Sequence, residues 1–95
     1  MGELRSYMIF SREIRAARAL LGWNQPKLAH AASVGVATVR RLEAAGMQIR
    51  GSVESVWKIQ RALEAAGIEF IPAEGGKGPG VRLKRADEGP KPHDK

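Results

Sequence analysis

Residues 23–43 read WNQPKLAHAASVGVATVRRLE, and the spacing within this stretch decides the fold. Gln25 to Ala32 has the pattern of a short amphipathic helix, with Leu28, Ala29 and Ala32 on one face. Ser33-Val34-Gly35 follows as a tight turn. Val36 to Leu42 reads as a second short helix, its apolar Val36, Val39 and Leu42 recurring at three-residue steps. That phase turns Ala37, Thr38, Arg40 and Arg41 outward. Two short helices joined by a turn of three or four residues form a helix-turn-helix, a geometry whose second helix fits the major groove of DNA.

The stretch resembles the Cro and lambda-repressor-like helix-turn-helix family, also called the xenobiotic-response-element family. The family pattern is Q-x-x-L-A, a small-residue turn, then a helix ending in a hydrophobic-Glu pair. Gln25, Leu28, Ala29, the Ser33 turn, Val39, Leu42 and Glu43 occupy those positions. The likeness extends over residues 12 to 66. There are two departures. Ser33 stands where the turn usually has Gly, so a left-handed conformation falls on a residue with a side chain. Gly35 replaces the usual Ser or Thr cap of the second helix, a weaker choice.

The resemblance implies roles residue by residue. Gln25 meets a backbone phosphate, aided by the open N–H groups of its helix start. Lys27 lies on the same helix and joins the DNA-binding set. Arg41 matches a position that reaches base edges, where Arg is the usual bidentate partner of guanine. Arg40 meets phosphate. Ala37 and Val36 are small and apolar, and could read only thymine methyls or groove shape. Val36 serves equally well as a core residue. Thr38 suits phosphate, base or plain surface. Arg50, in the loop after the motif, completes the set. Arg18 and Glu43 are implied as an ion pair tying the first helix to the end of the third.

Working outward, Ser11 is the expected N-cap of a helix through Leu21 that Gly22 stops. Ile14, Ala17, Arg18 and Leu21 share its inner stripe. Residues 44–51 form a loop, and Ser52 is expected to cap a fourth helix reaching Ala66. Its stripe is read as Val53, Val56, Trp57, Gln60 and Leu63, widened by Ile59 and Ala62. Trp23 and Trp57 are expected in the core or at its rim.

After Gly67 the apolar period changes from helical to alternating. Residues 68–71 and 81–85 read as two strands, with Ile68 and Phe70 sharing a buried face with Val81 and Leu83. Glu69 is placed outside, among Arg82 and Lys84. The intervening PAEGGKGPG reads as a mobile loop rather than a tight turn. Residues 86–95 are polar, Pro-rich and mixed in charge, and read as a disordered tail. The expected organisation is an N-terminal segment (1–10), a helical domain (11–67), a β-hairpin (68–85) and the tail (86–95). The fold class is mainly α, a four-helix lambda-repressor-like domain with a C-terminal hairpin.

Composition narrows the function. The 95 residues allow one small domain. Sixteen basic and 10 acidic residues leave a net charge of +6, which favours a polyanionic partner. With no cysteine there is no disulfide framework and no thiolate metal site, as suits a cytoplasmic protein. His30 and His93 are read as surface and tail residues, so no metal or cofactor is expected. No apolar run approaches a membrane span. Enzyme chemistry finds no nucleophile or phosphate-loop motif, because GGKGPG is followed by a strand.

The reading is a DNA-binding transcriptional regulator, a repressor that binds double-stranded DNA as a homodimer on an inverted repeat. Regulation then falls to concentration or to a partner protein. Ile68, Phe70, Ile71, Val81 and Leu83 are the expected dimer contacts, because an open hairpin offers association edges. The alternative is a protein-interaction module of antitoxin or anti-activator type. An RNA-binding regulator fits the charge but lacks an aromatic stacking surface.

Overall fold

A computed structural model describes residues 11–44 and 53–86. The 1–10 segment, the 45–52 loop with Arg50 and Ser52, and residues 87–95 lie outside the described residues. Four helices precede an antiparallel hairpin: α1 (Ser11–Leu21), α2 (Gln25–Ala32), α3 (Val36–Glu43), α4 (Val53–Ala65), β1 (Ile68–Ile71) and β2 (Gly80–Leu83). Among the described residues no helix is long and apolar enough to cross a membrane.

Local chemistry sets each boundary. Ser11, the expected cap, is the first described residue of α1 and is fully buried. Gly22 adopts φ 70°, and the Trp23 N–H donates to the Arg18 carbonyl at 2.9 Å, closing α1. Asn24 is extended, and its side chain accepts from the Lys27 N–H at 2.8 Å, so it caps α2. Pro26 sits in the first turn, where its missing N–H removes nothing. Ser33 ends α2 at φ 59°, ψ 45°, and the Val34 N–H reaches the Ala29 carbonyl at 3.0 Å. Left-handed backbone on a residue with a Cβ costs roughly 1–2 kcal/mol, which the surrounding packing must offset. Gly35 caps α3 with no side-chain bond.

The core forms where the helix stripes meet. Ile14 and Ala17 of α1, Leu28 of α2, Val39 and Leu42 of α3, and Ile59 and Leu63 of α4 have no exposed surface. The α4 stripe is rotated from the sequence reading. Its buried residues are Val56, Ile59, Gln60 and Leu63, while Val53 is 65% exposed and Trp57 39% exposed. Trp23 is half-buried against the core.

The hairpin belongs to this core. Ile68 is fully buried, and Phe70, Val81 and Leu83 pack against the same cluster. The apolar core therefore extends past the helical segment 11–67 into the hairpin. A fully buried Ile contributes roughly 1.5–3 kcal/mol, so Ile68 matters as much as any helical residue. The register pairs Ile68 with Leu83, Glu69 with Arg82, Phe70 with Val81 and Ile71 with Gly80. β2 runs from Gly80 to Leu83 rather than over 81–85, and Lys84 supplies the last bond of the ladder. Its N–H donates to the Gly67 carbonyl at 2.8 Å, and its Nζ donates to the Glu64 carbonyl at 2.9 Å. Among the described residues Glu69 pairs with Arg82, at 3.0 Å, and not with Lys84.

The segment between the strands is not an open loop. Glu74 and Lys77 exchange two backbone hydrogen bonds of 3.0 Å around Gly75 and Gly76. Both glycines have positive φ, 63° and 80°, the requirement of a two-residue turn whose twist matches a hairpin.

Candidate nucleic-acid interface

The outward face of α3 follows from its inward one. Val39, Leu42 and Glu43 are buried, which leaves Ala37, Arg40 and Arg41 exposed along the opposite side. Thr38 is half-buried beside them, and Val36 is half-buried and packed against the core. Among the described residues, neither Arg40 nor Arg41 makes a salt bridge. Two exposed cations thus lie one turn beyond a small residue on the helix surface, with no carboxylate paired to them among the described residues.

The orientation of this face depends on a polar knot at the C-terminal end of α3. Arg18 grips the Glu43 carboxylate with Nε and Nη2 at 2.7 and 2.8 Å, and gives Nη1 to the Trp23 carbonyl at 3.0 Å. Such a two-pronged contact fixes direction as well as distance. Gln25 Nε2 donates to the same carboxylate at 3.0 Å. Arg15 donates to the Glu43 backbone carbonyl. One residue of α3 thereby holds α1 and the start of α2. Burial alone would raise the Glu43 carboxyl. The Arg18 and Gln25 hydrogen bonds and the charges of Arg18 and Arg15 outweigh it, so Glu43 sits below its ordinary range. The Glu43 hydrogen bond holds Arg18 above its own, against a smaller effect of burial.

The knot contains the pair expected from sequence, Arg18 with Glu43, and draws in Gln25, which was expected to face outward. One amide N–H of Gln25 serves Glu43, and the second is not used in that bond. Lys27 is exposed, with its ammonium 5.6 Å from the centre of the Trp23 ring. Arg15 is the member that sequence reading missed. It is an exposed helix arginine whose link to Glu43 spans 28 positions, a contact that no local pattern announces.

The expected dimer set divides. Ile68 faces the core of its own protomer and has no surface to offer a second chain, which removes it from that set. Phe70, Val81 and Leu83 pack partly on the same core, and Ile71 is half-buried opposite Gly80. Compared with known proteins, the chain matches no family model and no curated relative.

Proposed function

We propose that this protein is a sequence-specific DNA-binding transcriptional regulator that acts as a repressor. The observation that carries the reading is the exposed Ala37–Arg40–Arg41 face on the second helix of a helix-turn-helix pair. In this reading Arg41 contacts a base edge, Arg40 and Lys27 meet phosphates, and Ala37 permits close approach to the groove floor. Arg15 and the second N–H of Gln25 supply further phosphate contacts beside Glu43. The net charge of +6 suits the same partner.

One short recognition helix reads too few base pairs to choose a genomic site. A two-fold dimer resolves this by placing two such helices in successive major grooves, about 34 Å apart. The hairpin's outer face and open edges, including Ile71, are the proposed contact, and the operator is then an inverted repeat. A cytoplasmic location follows from a DNA target.

Selection of bound duplexes from a random pool tests the proposal. An enriched inverted repeat is the expected result. With roughly six to ten phosphate contacts, affinity should fall about a thousandfold or more between about 50 and 200 mM salt. A flat salt response, or equal affinity for every duplex, would refute the reading.

A further inference from the structure

Trp57 stands 39% exposed on α4, with Val53, one turn earlier, 65% exposed. A single exposed apolar residue needs no explanation, but this indole borders a built recess. The end of α2 and the outer side of α4 enclose a shallow groove of about 540 Å³. Its floor is made of small residues, Ala31 and Ala32 facing Ala62 and Ala65. Its rim carries Lys58, Arg61 and Lys84. Glu64 is the one carboxylate among the described lining residues, and its Oε2 already accepts from Gln60 at 3.2 Å.

Arg61 and Lys84 are held in place by uncharged groups, and Lys58 by a solvent-screened ion pair. The Arg61 guanidinium lies over the Trp57 ring, 5.0 Å from its centre. Stacking of this kind orients the planar fork and leaves its N–H edges for an anion. Lys84 is anchored through the Glu64 backbone carbonyl, a neutral acceptor. Lys58 meets Glu54 at 3.6 Å in an exposed pair that solvent screens.

We propose that this groove docks an acidic peptide segment of a partner protein. An apolar side chain of the segment rests against Trp57 and the alanine floor. Its carboxylates face Arg61, Lys58 and Lys84. Charge complementarity and the arrangement of the groove select this occupant. A drug-sized molecule needs most of its surface enclosed, which a shallow groove cannot provide. A nucleic-acid base needs a bare aromatic face, and Arg61 covers this one. A second copy meeting groove to groove would set Lys58, Arg61 and Lys84 against their own counterparts. Residues 87–95 of the same chain offer Asp87, Glu88 and Asp94, but two lysines offset them and no large apolar side chain is present. The proposal does not depend on DNA binding, because none of the residues lining the groove belongs to the proposed DNA-contact set.

A random peptide library displayed against the intact chain, with counter-selection against W57A, tests this directly. Enriched peptides should be acidic and carry one large apolar residue. Titration of such a peptide should shift the Trp57 emission in a W23F background. R61E should weaken it by roughly tenfold or more, as expected when a central Arg contact is reversed. R41E should leave affinity unchanged. K58E, at a half-exposed position, gives a second reading of the rim should R61E fail to fold. Enrichment of neutral or basic peptides, no enrichment, or binding indifferent to these rim changes would overturn the proposal. Displacement of the peptide by duplex DNA would assign the groove to nucleic acid instead.

Discussion

Replacing Arg18 by alanine leaves the Glu43 carboxylate, 4% exposed in its side chain, without its charged partner. Removing one member of a buried pair costs about 3–5 kcal/mol, mostly because the other charge stays desolvated. Gln25 and Arg15 remain beside Glu43, so the loss belongs at the lower end, about 3 kcal/mol. Glu43→Ala strands a guanidinium that is 19% exposed and keeps the Trp23 carbonyl. That loss should be smaller, about 2 kcal/mol. The double variant strands neither charge and should lose about 3 kcal/mol, against roughly 5 for the sum. The expected coupling is therefore about 2 kcal/mol. Urea unfolding followed by circular dichroism measures all four corners of the cycle. In a domain of this size Arg18→Ala should lower Tm by more than about 10 °C. Additivity within about 0.5 kcal/mol would show that the two side chains do not act as a pair. The pH dependence gives an independent check. Glu43 is held below its ordinary value when folded, so its contribution is present above the usual glutamate pKa of about 4.3. It is lost as pH falls through the lower folded value. The stability gap between wild type and Glu43→Gln should hold near neutrality and close in acid.

Ser33→Gly should raise stability by about 0.5–1 kcal/mol, because relief of left-handed strain exceeds the added chain entropy of glycine; thermal unfolding that shows a loss would mean the Ser33 side chain is needed. Ile68→Ala should cost about 2–5 kcal/mol, and a chain ending at Gly67 should lose its cooperative thermal transition; a fully folded truncation would show that the hairpin is dispensable to the core. On the selected operator, Arg41→Ala should cost about 1–3 kcal/mol and relax base choice at one position per half-site, and wild-type binding by this variant would move the base contact elsewhere. Gln25→Ala should weaken all duplexes about equally and also lower stability through its Glu43 bond, so affinity and unfolding must be measured together.

The helix-turn-helix was legible because its determinants are local. Leu28, Val39 and Leu42 mark buried faces by spacing alone, and the strain at Ser33 follows from one missing glycine. The hairpin's buried face was legible for the same reason, since alternation permits only one. What escaped the reading depended on competition between distant groups. On α4 two overlapping stripes were available, one through Trp57 and one through Ile59. Packing selected the compact Ile59 and left the indole outside under Arg61. The Gly75–Gly76 turn was hidden by the length of its surroundings, although two adjacent glycines are its signature. The Asn24 cap was readable in principle from an Asn placed before Gln-Pro. Arg15 was not, because its partner is a backbone carbonyl of another helix.

The hairpin's double closure has a consequence for how this chain can grow. The ladder from Ile68–Leu83 to Ile71–Gly80 fixes the register, and the Glu74–Lys77 turn closes the tip again beyond a gap. A side-chain carbon added at Gly75, Gly76, Gly78 or Gly80 would meet nothing within 4 Å. Lengthening the tip opens the Glu74–Lys77 turn but moves no packed atom, and each further doubling of a flexible loop costs only about 0.6 kcal/mol. The tip is thus a port for insertion. An epitope, a fluorophore-bearing loop or a whole domain could be spliced between Gly75 and Gly76 while Ile68 and Leu83 keep their seats.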